Sequence, residues 1–366
     1  ASLFPTIAWS AVLLGLLSVH KFHAMARVDL PLLALTVATV AQIVRFVDGR
    51  RTAALAGAAA AAAAAVLVKP TAVVTLLACA GWAAFALRHS PRDLGRLALA
   101  LGAGAAVWAA VTAGMQIATG GEYLRQTVEL HTLKGTWPSA WIWEGYVDRY
   151  LPVLVAGAVA LLLPADPLLK LLACITTGWA ILSTRAAGAD LNYTLEPLTW
   201  TTLLVASAST GLLRKAEGAG TRARVLGTLG AAAVVIALLP LRGGPVRAGE
   251  MSAETREEGA ELDRLMEASH GVTLSEEPFF AVLRGKELIV TDPFGLSVMA
   301  GRGRFDQRPL LKELDEGRIA RVFLGADLQA DVGIRDSLRR RYRQVYITQG
   351  KLADTRWIVL EPATDP

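Results

Sequence analysis

Four polar clusters break the apolar runs of this chain, and they hold the residue types that could do chemistry. The first is Arg27-Val-Asp29. Two residues apart, its guanidinium and carboxylate do not stack along one helix face, so each meets a different partner. Arg27 either holds an anion there or snorkels from a span end; both readings stay open. The second, Lys69-Pro70, sets one ammonium in a tight turn between two apolar runs. It suits a phosphate head group, or it snorkels in the same way. The third is His131, on one side of the helical pattern Glu122–Lys134 with Leu124 and Val128. The fourth is Asp190-Leu-Asn-Tyr-Thr-Leu-Glu196, just before Pro197. Glu196 falls at the positive end of a helix. Helix capping is one reading, but Asn192, Tyr193 and Glu196 bring more polar groups than one cap needs, which favours a functional role.

The elements that must position these groups are apolar runs of membrane length. Of the 366 residues 53% are hydrophobic and the mean hydropathy is +0.42, with the excess gathered before about residue 241. The runs Pro5–Val19, Leu30–Val47, Thr52–Val68, Thr71–Leu87, Leu97–Ala118, Leu151–Leu163, Leu168–Ser183, Pro197–Leu213 and Val225–Leu239 predict a mainly α, polytopic bundle of about nine transmembrane helices. The unbroken alanines Ala58–Ala65 fit a closely packed helix. The chain opens at Ala1 and Pro5–Phe22 lacks the basic start of a secretory signal, so a fragment without its N-terminal part is expected.

Alternation of the spans sorts the loops into two groups. Asp48–Arg51, Arg88–Arg96, Ala165–Lys170 and Arg214–Arg224 are short and basic, which places them in the cytoplasm. His20–Asp29, Lys69-Pro70, Thr119–Tyr150 and Arg185–Glu196 then face outward, as does everything after the last span. All four chemical clusters fall on this outer side. Trp137, Trp141, Trp143, Tyr146 and Tyr150 read as an aromatic belt at the head-group level, or as a lid over a lipid-linked substrate. The formal charge of +5 follows from the cytoplasmic loops and needs no nucleic acid partner. The two cysteines, Cys79 and Cys174, sit in apolar runs. They read as buried thiols and offer neither a disulfide framework nor a metal site.

Residues 242–366 read as a separate soluble domain beside the membrane domain 1–241. A helix is expected at Ala253–Ala268 and helical patterns at Gln307–Leu314 and Asp331–Tyr342. Strands are expected at Val272–Leu274, Glu287–Thr291, Ala320–Leu324, Gln344–Ile347 and Trp357–Leu360. The alternation predicts a small α/β sandwich with a largely parallel sheet. Gly301-Arg-Gly-Arg304 lacks the third glycine of a dinucleotide site. Arg339-Arg340-Arg341-Tyr342-Arg343 reads as a solvated face.

In this order, Ala26-Arg-Val-Asp-Leu-Pro31, Val66-Leu-Val-Lys-Pro-Thr71 and Asp190-Leu-Asn-Tyr-Thr-Leu-Glu196 resemble motifs of the GT-C superfamily of polytopic glycosyltransferases, specifically the bacterial family-39-like membrane proteins. The resemblance covers most of 1–241. It implies transfer of a sugar from a polyprenyl-phosphate donor to a glycan, lipid or protein acceptor at the outer face of the bacterial cytoplasmic membrane. The C-terminal domain would then be periplasmic or extracellular, and membrane lipids would be the other partners. Arg27 and Lys69 would hold phosphate. Asp29, Tyr193 and Glu196 would meet acceptor or sugar, with His131 and Asn192 beside them. No metal ligand or cofactor is assigned, and a divalent metal stays open. The resemblance departs in one place: the family's catalytic acid lies in its first outer loop, and here His20–Asp29 matches a later element. About the first three family helices have no counterpart, so either the sequence lacks them or this chain works differently, with the catalytic residue unassigned and Asp29 a candidate substitute base. A transporter or a non-catalytic assembly protein are the alternatives. No internal repeat or mid-membrane charge favours the transporter.

Overall fold

The computed structural model of the chain describes residues 29–124, 140–185, 191–217, 253–287, 289–290, 306–325, 332–349 and 356–363, together with 296, 300 and 303. The chain divides into two units, one formed by residues 1–125 and 136–247, the other by 126–135 and 248–366. The architecture is mainly α with one small sheet.

In the first unit, turn chemistry sets the helix boundaries. Helix α1 (Asp29–Gly49) is followed by α2 (Thr52–Val68), which stops because Pro70 drives the residue before it out of helical conformation. Lys69 is accordingly extended, at φ −156° and ψ 119°. Helix α3 (Ala72–Ala86) leaves that turn, and α4 (Pro91–Ala118) starts on a proline, where a missing N–H costs nothing. Helix α5 (Ala140–Leu162) leads to α6 (Pro167–Ser183), whose Asp166 cap accepts from the Leu168 N–H at 2.8 Å. A 3-10 turn, Leu191–Thr194, opens α7 (Leu195–Glu217).

The core of this unit holds Ile43, Phe46, Leu55, Leu87, Leu172, Leu198 and Leu204. Glycines allow the closest helix approaches. A Cβ on Gly104 would lie 3.1 Å from the Ala59 carbonyl oxygen, and one on Gly211 would lie 2.5 Å from that of Pro164. The helices sort the polar turns to two ends. Arg50 Nε lies 3.6 Å from Asp93, which also pairs with Arg96, so two of the basic loops share an end. Lys69, Asp29 and residues 193–196 share another place.

Two described helices, α1 and α4, are long and apolar enough to cross a membrane. Helices α2, α3 and α6, and Val153–Leu162 within α5, are shorter apolar helices. The expected count of about nine is thus not reached by length and composition; Pro5–Val19 and Val225–Leu239 lie outside the described residues. The membrane-length window of α4 is only 17% buried. Leu99, Val107, Trp108, Val111, Met115 and Ile117 stand exposed along it.

Two expectations for this unit are corrected. The described part of the aromatic stretch is no surface belt: Trp143, Tyr146 and Tyr150 fall on one stripe of α5, and both tyrosines are buried, while Trp137 and the Trp141 side chain lie outside the described residues. Spacings of three and four residues bring their rings to 5.6 and 5.4 Å. The Trp143 indole donates to buried Thr184 at 3.0 Å. Of the pattern Glu122–Lys134, the turn Glu122–Leu124 is helical and the rest lies outside the described residues. Cys79 is buried as expected for a small hydrophobe, but Cys174 is exposed.

The second unit contains α8 (Ala253–Glu267), β1 (Thr273–Ser275), α9 (Pro278–Leu283), α10 (Arg308–Asp315), β2 (Arg321–Leu324), α11 (Val332–Arg341), β3 (Tyr342–Ile347) and β4 (Ile358–Pro362). The sheet order is β1-β2-β4-β3. Among the described strands only β1 and β2 run parallel, with α10 in the connection; β2–β4 and β3–β4 are antiparallel. The expectation of a largely parallel sheet fails because β4 returns antiparallel between β2 and β3. The expected strand Glu287–Thr291 is also absent among its described residues. Glu287 instead offers its carbonyl to a single bond from Thr273 N, at 3.2 Å. Leu274, Leu314, Ile319, Val322 and Ile334 form the core. The basic run ends α11 and enters β3 with Arg339, Arg340 and Arg341 exposed, and Arg340 pairs with Asp315 at 3.1 Å.

Tyr342 is buried at the head of β3 and donates its hydroxyl to the Ile319 carbonyl at 3.0 Å. Burial, with the nearby charges of Asp315 and Glu313, pushes its pKa from 10 up to about 12. The folded state thus favours the neutral phenol. Its stabilising contribution is whole below pH 10 and is lost as pH rises toward 12. Thermal unfolding of the full chain across this window is expected to show a steeper loss for wild type than for Tyr342→Phe. Parallel curves would show that Tyr342 contributes no such linkage.

Candidate functional site

The site is built where several helices of the first unit begin or end. Asp29 opens α1 and is 5% exposed. Its Oδ1 accepts from Lys69 Nζ at 2.7 Å, across 40 residues of sequence. Pro70 is the local cause, because extended Lys69 ends α2 with its side chain beside the start of α1. The same Nζ stands 4.4 Å from the centroid of the Tyr193 ring, a cation–π contact supplied by the 3-10 turn. Glu196, in the first turn of α7, accepts from the Thr75 hydroxyl of α3. Trp200 lies one turn further on the same face of α7 and is buried.

Helices α1, α3 and α7 all have their N-termini among these residues. The partial positive charge at each helix start favours the carboxylates of Asp29 and Glu196, as does the Lys69 ammonium. A cavity of about 30 Å³ opens between them, lined by Asp29, Lys69, Thr71, Trp179, Ser183, Tyr193 and Glu196 among others. That is room for one or two water-sized groups. Among the described residues no three His, Cys, Asp or Glu side chains lie together as a metal site would require.

Of the residues singled out in the sequence, the structure thus gathers Asp29, Lys69, Tyr193 and Glu196. Arg27 and His131 lie outside the described residues. Asn192 belongs to the 3-10 turn, and its side chain lies outside the description. Sequence reasoning missed Thr75 and Trp179. Thr75 carried a faint signal, a hydroxyl one turn past Thr71 inside an apolar run. Trp179 carried none, since an indole in an apolar span reads as packing.

Comparison of the chain with protein-family models, with curated proteins and with solved structures finds no match.

Proposed function

We propose that this chain is a multi-pass membrane glycosyltransferase. It moves a sugar from a polyprenyl-phosphate donor to an acceptor hydroxyl at the outer face of the bacterial cytoplasmic membrane. One observation carries the reading: Asp29, Lys69, Tyr193 and Glu196 come from three distant polar clusters at the ends of apolar helices, yet meet around one cavity. The exposed apolar face of α4 supports a lipid setting. The resemblance of the three motifs supplies the reaction class.

In this reading the acceptor oxygen attacks the anomeric carbon as the bond from that carbon to the phosphate oxygen breaks. The bonding pair leaves on the lipid phosphate, and the hydroxyl proton passes to Glu196. In this reading the phosphate stays outside the cavity, and Lys69 offsets the charge gathering on it. Asp29 and Tyr193 hold the ammonium in place. Because Asp29 is already engaged by Lys69, Glu196 is the better placed base.

A second reading, a non-catalytic membrane assembly protein, is favoured by one feature. The charge of Lys69 is already matched within the protein by Asp29. The test is release of polyprenyl phosphate from a panel of radiolabelled polyprenyl-phosphate sugars, with the full chain in lipid nanodiscs. Wild type is expected to turn over at least one donor, and Glu196→Gln to lose about 100-fold or more. A well-folded wild type inert toward every donor would favour the assembly reading.

A further inference from the structure

We infer that the cavity beside Glu196 is a subsite for one neutral hydroxyl, which accepts from the Trp179 indole N–H and donates to the Glu196 carboxylate. Three observations lead there. First, Trp179 lines the cavity, and its indole nitrogen is buried with no hydrogen-bond partner in the protein. Buried donors are nearly always satisfied, so one without a protein partner beside a polar cavity marks the place of a visiting acceptor. Second, the cavity measures about 30 Å³. It admits a water-sized group and is small for a phosphate with its oxygens.

Third, the described lining sets the Trp179 indole, a donor, beside the Glu196 carboxylate, an acceptor. That pairing favours a group that both accepts and donates. A hydroxyl does both through one atom. Thr75 engages one oxygen of Glu196, and a carboxylate has about four lone-pair sites, so accepting capacity remains. The hydroxyl's owner, the acceptor of sugar transfer, rests on the glycosyltransferase reading. Binding itself does not depend on it.

The test uses the full chain in nanodiscs with ¹⁵N-labelled indoles, the Trp179 N–H resonance being assigned by its loss in Trp179→Phe. Glycerol and a methyl hexoside serve as neutral hydroxyl ligands and inorganic phosphate as the anion. The polyols are expected to move the Trp179 resonance downfield and phosphate to leave it in place. Glu196→Gln is expected to weaken the polyol effect about tenfold, the scale of a hydrogen bond to a charged group. A resonance that follows phosphate and ignores the polyols would make this an anion site. One that answers none of them would make it a closed, structural water pocket. Either result overturns the inference. Donor turnover is measured separately, so failure of the transferase reading leaves the outcome of this titration intact.

Discussion

Lys69→Met is expected to destabilise the helical unit by about 2–4 kcal/mol, somewhat below the ~3–5 kcal/mol for losing one partner of a fully buried ion pair. The ammonium that Asp29 accepts from, 2.7 Å away, disappears, while the carboxylate stays 5% exposed. Some discount is due, because the Lys69 side chain keeps 16% exposure. The start of α1 also favours a negative charge at Asp29 on its own. Lys69→Arg keeps the charge and the contact with the Tyr193 ring and should cost less. Asp29→Asn combined with Lys69→Met removes both charges and should recover most of the loss. Unfolding midpoints of the four proteins in one detergent would show it as a double-mutant cycle. If Lys69→Met alone unfolds like wild type, the pair contributes no more than a surface ion pair. Transfer activity should separate from stability: the doubly neutral variant is expected to fold and remain inactive.

Arg321→Ala should have the next largest effect, about 2–4 kcal/mol on the second unit. The Arg321 guanidinium reaches Glu361 on the neighbouring strand and the Leu265 carbonyl at the end of α8. The β2–β4 register, pairing Val322 with Leu360, brings residues 321 and 361 side by side. Arg321 keeps 13% of its side-chain exposure and Glu361 26%, so removing the arginine leaves both acceptors poorly hydrated. Arg321→Lys carries the charge but lacks a fork able to serve two acceptors at once, and should recover part of the loss. Arg284→Ala is the control. It breaks a pair with Asp263 that is 40% and 42% exposed, and such pairs contribute little. Hydrogen exchange at β2 and β4 in the full chain would report the difference. Equal protection in the Arg321 and Arg284 variants would remove Arg321 from the supports of the sheet.

Much of the helical unit was legible along the chain. Thr52–Val68 ends where Pro70 requires, and Pro167–Ser183 begins at a capping aspartate followed by proline. Such boundaries depend on a few adjacent residues, so local chemistry decides them. The start of α5 was not legible. Trp143, Tyr146 and Tyr150 are amphipathic side chains that suit a membrane surface as well as a core, and only packing against α7 and the bond to Thr184 show which. Strand direction was hidden for a similar reason: the β3–β4 link does not announce whether it returns or crosses.

The candidate site divides along the same line. That Asp29, Lys69, Tyr193 and Glu196 stand at the ends of apolar helices was determined by sequence alone, because charged groups are excluded from long apolar runs. That Lys69 takes Asp29 and Tyr193 as partners was decided only by tertiary structure, as were the bond from Thr75 to Glu196 and the placing of the Trp179 indole at the cavity. These contacts join residues tens of positions apart. A single hydroxyl or indole in an apolar helix leaves no periodic mark to say which neighbour it will meet.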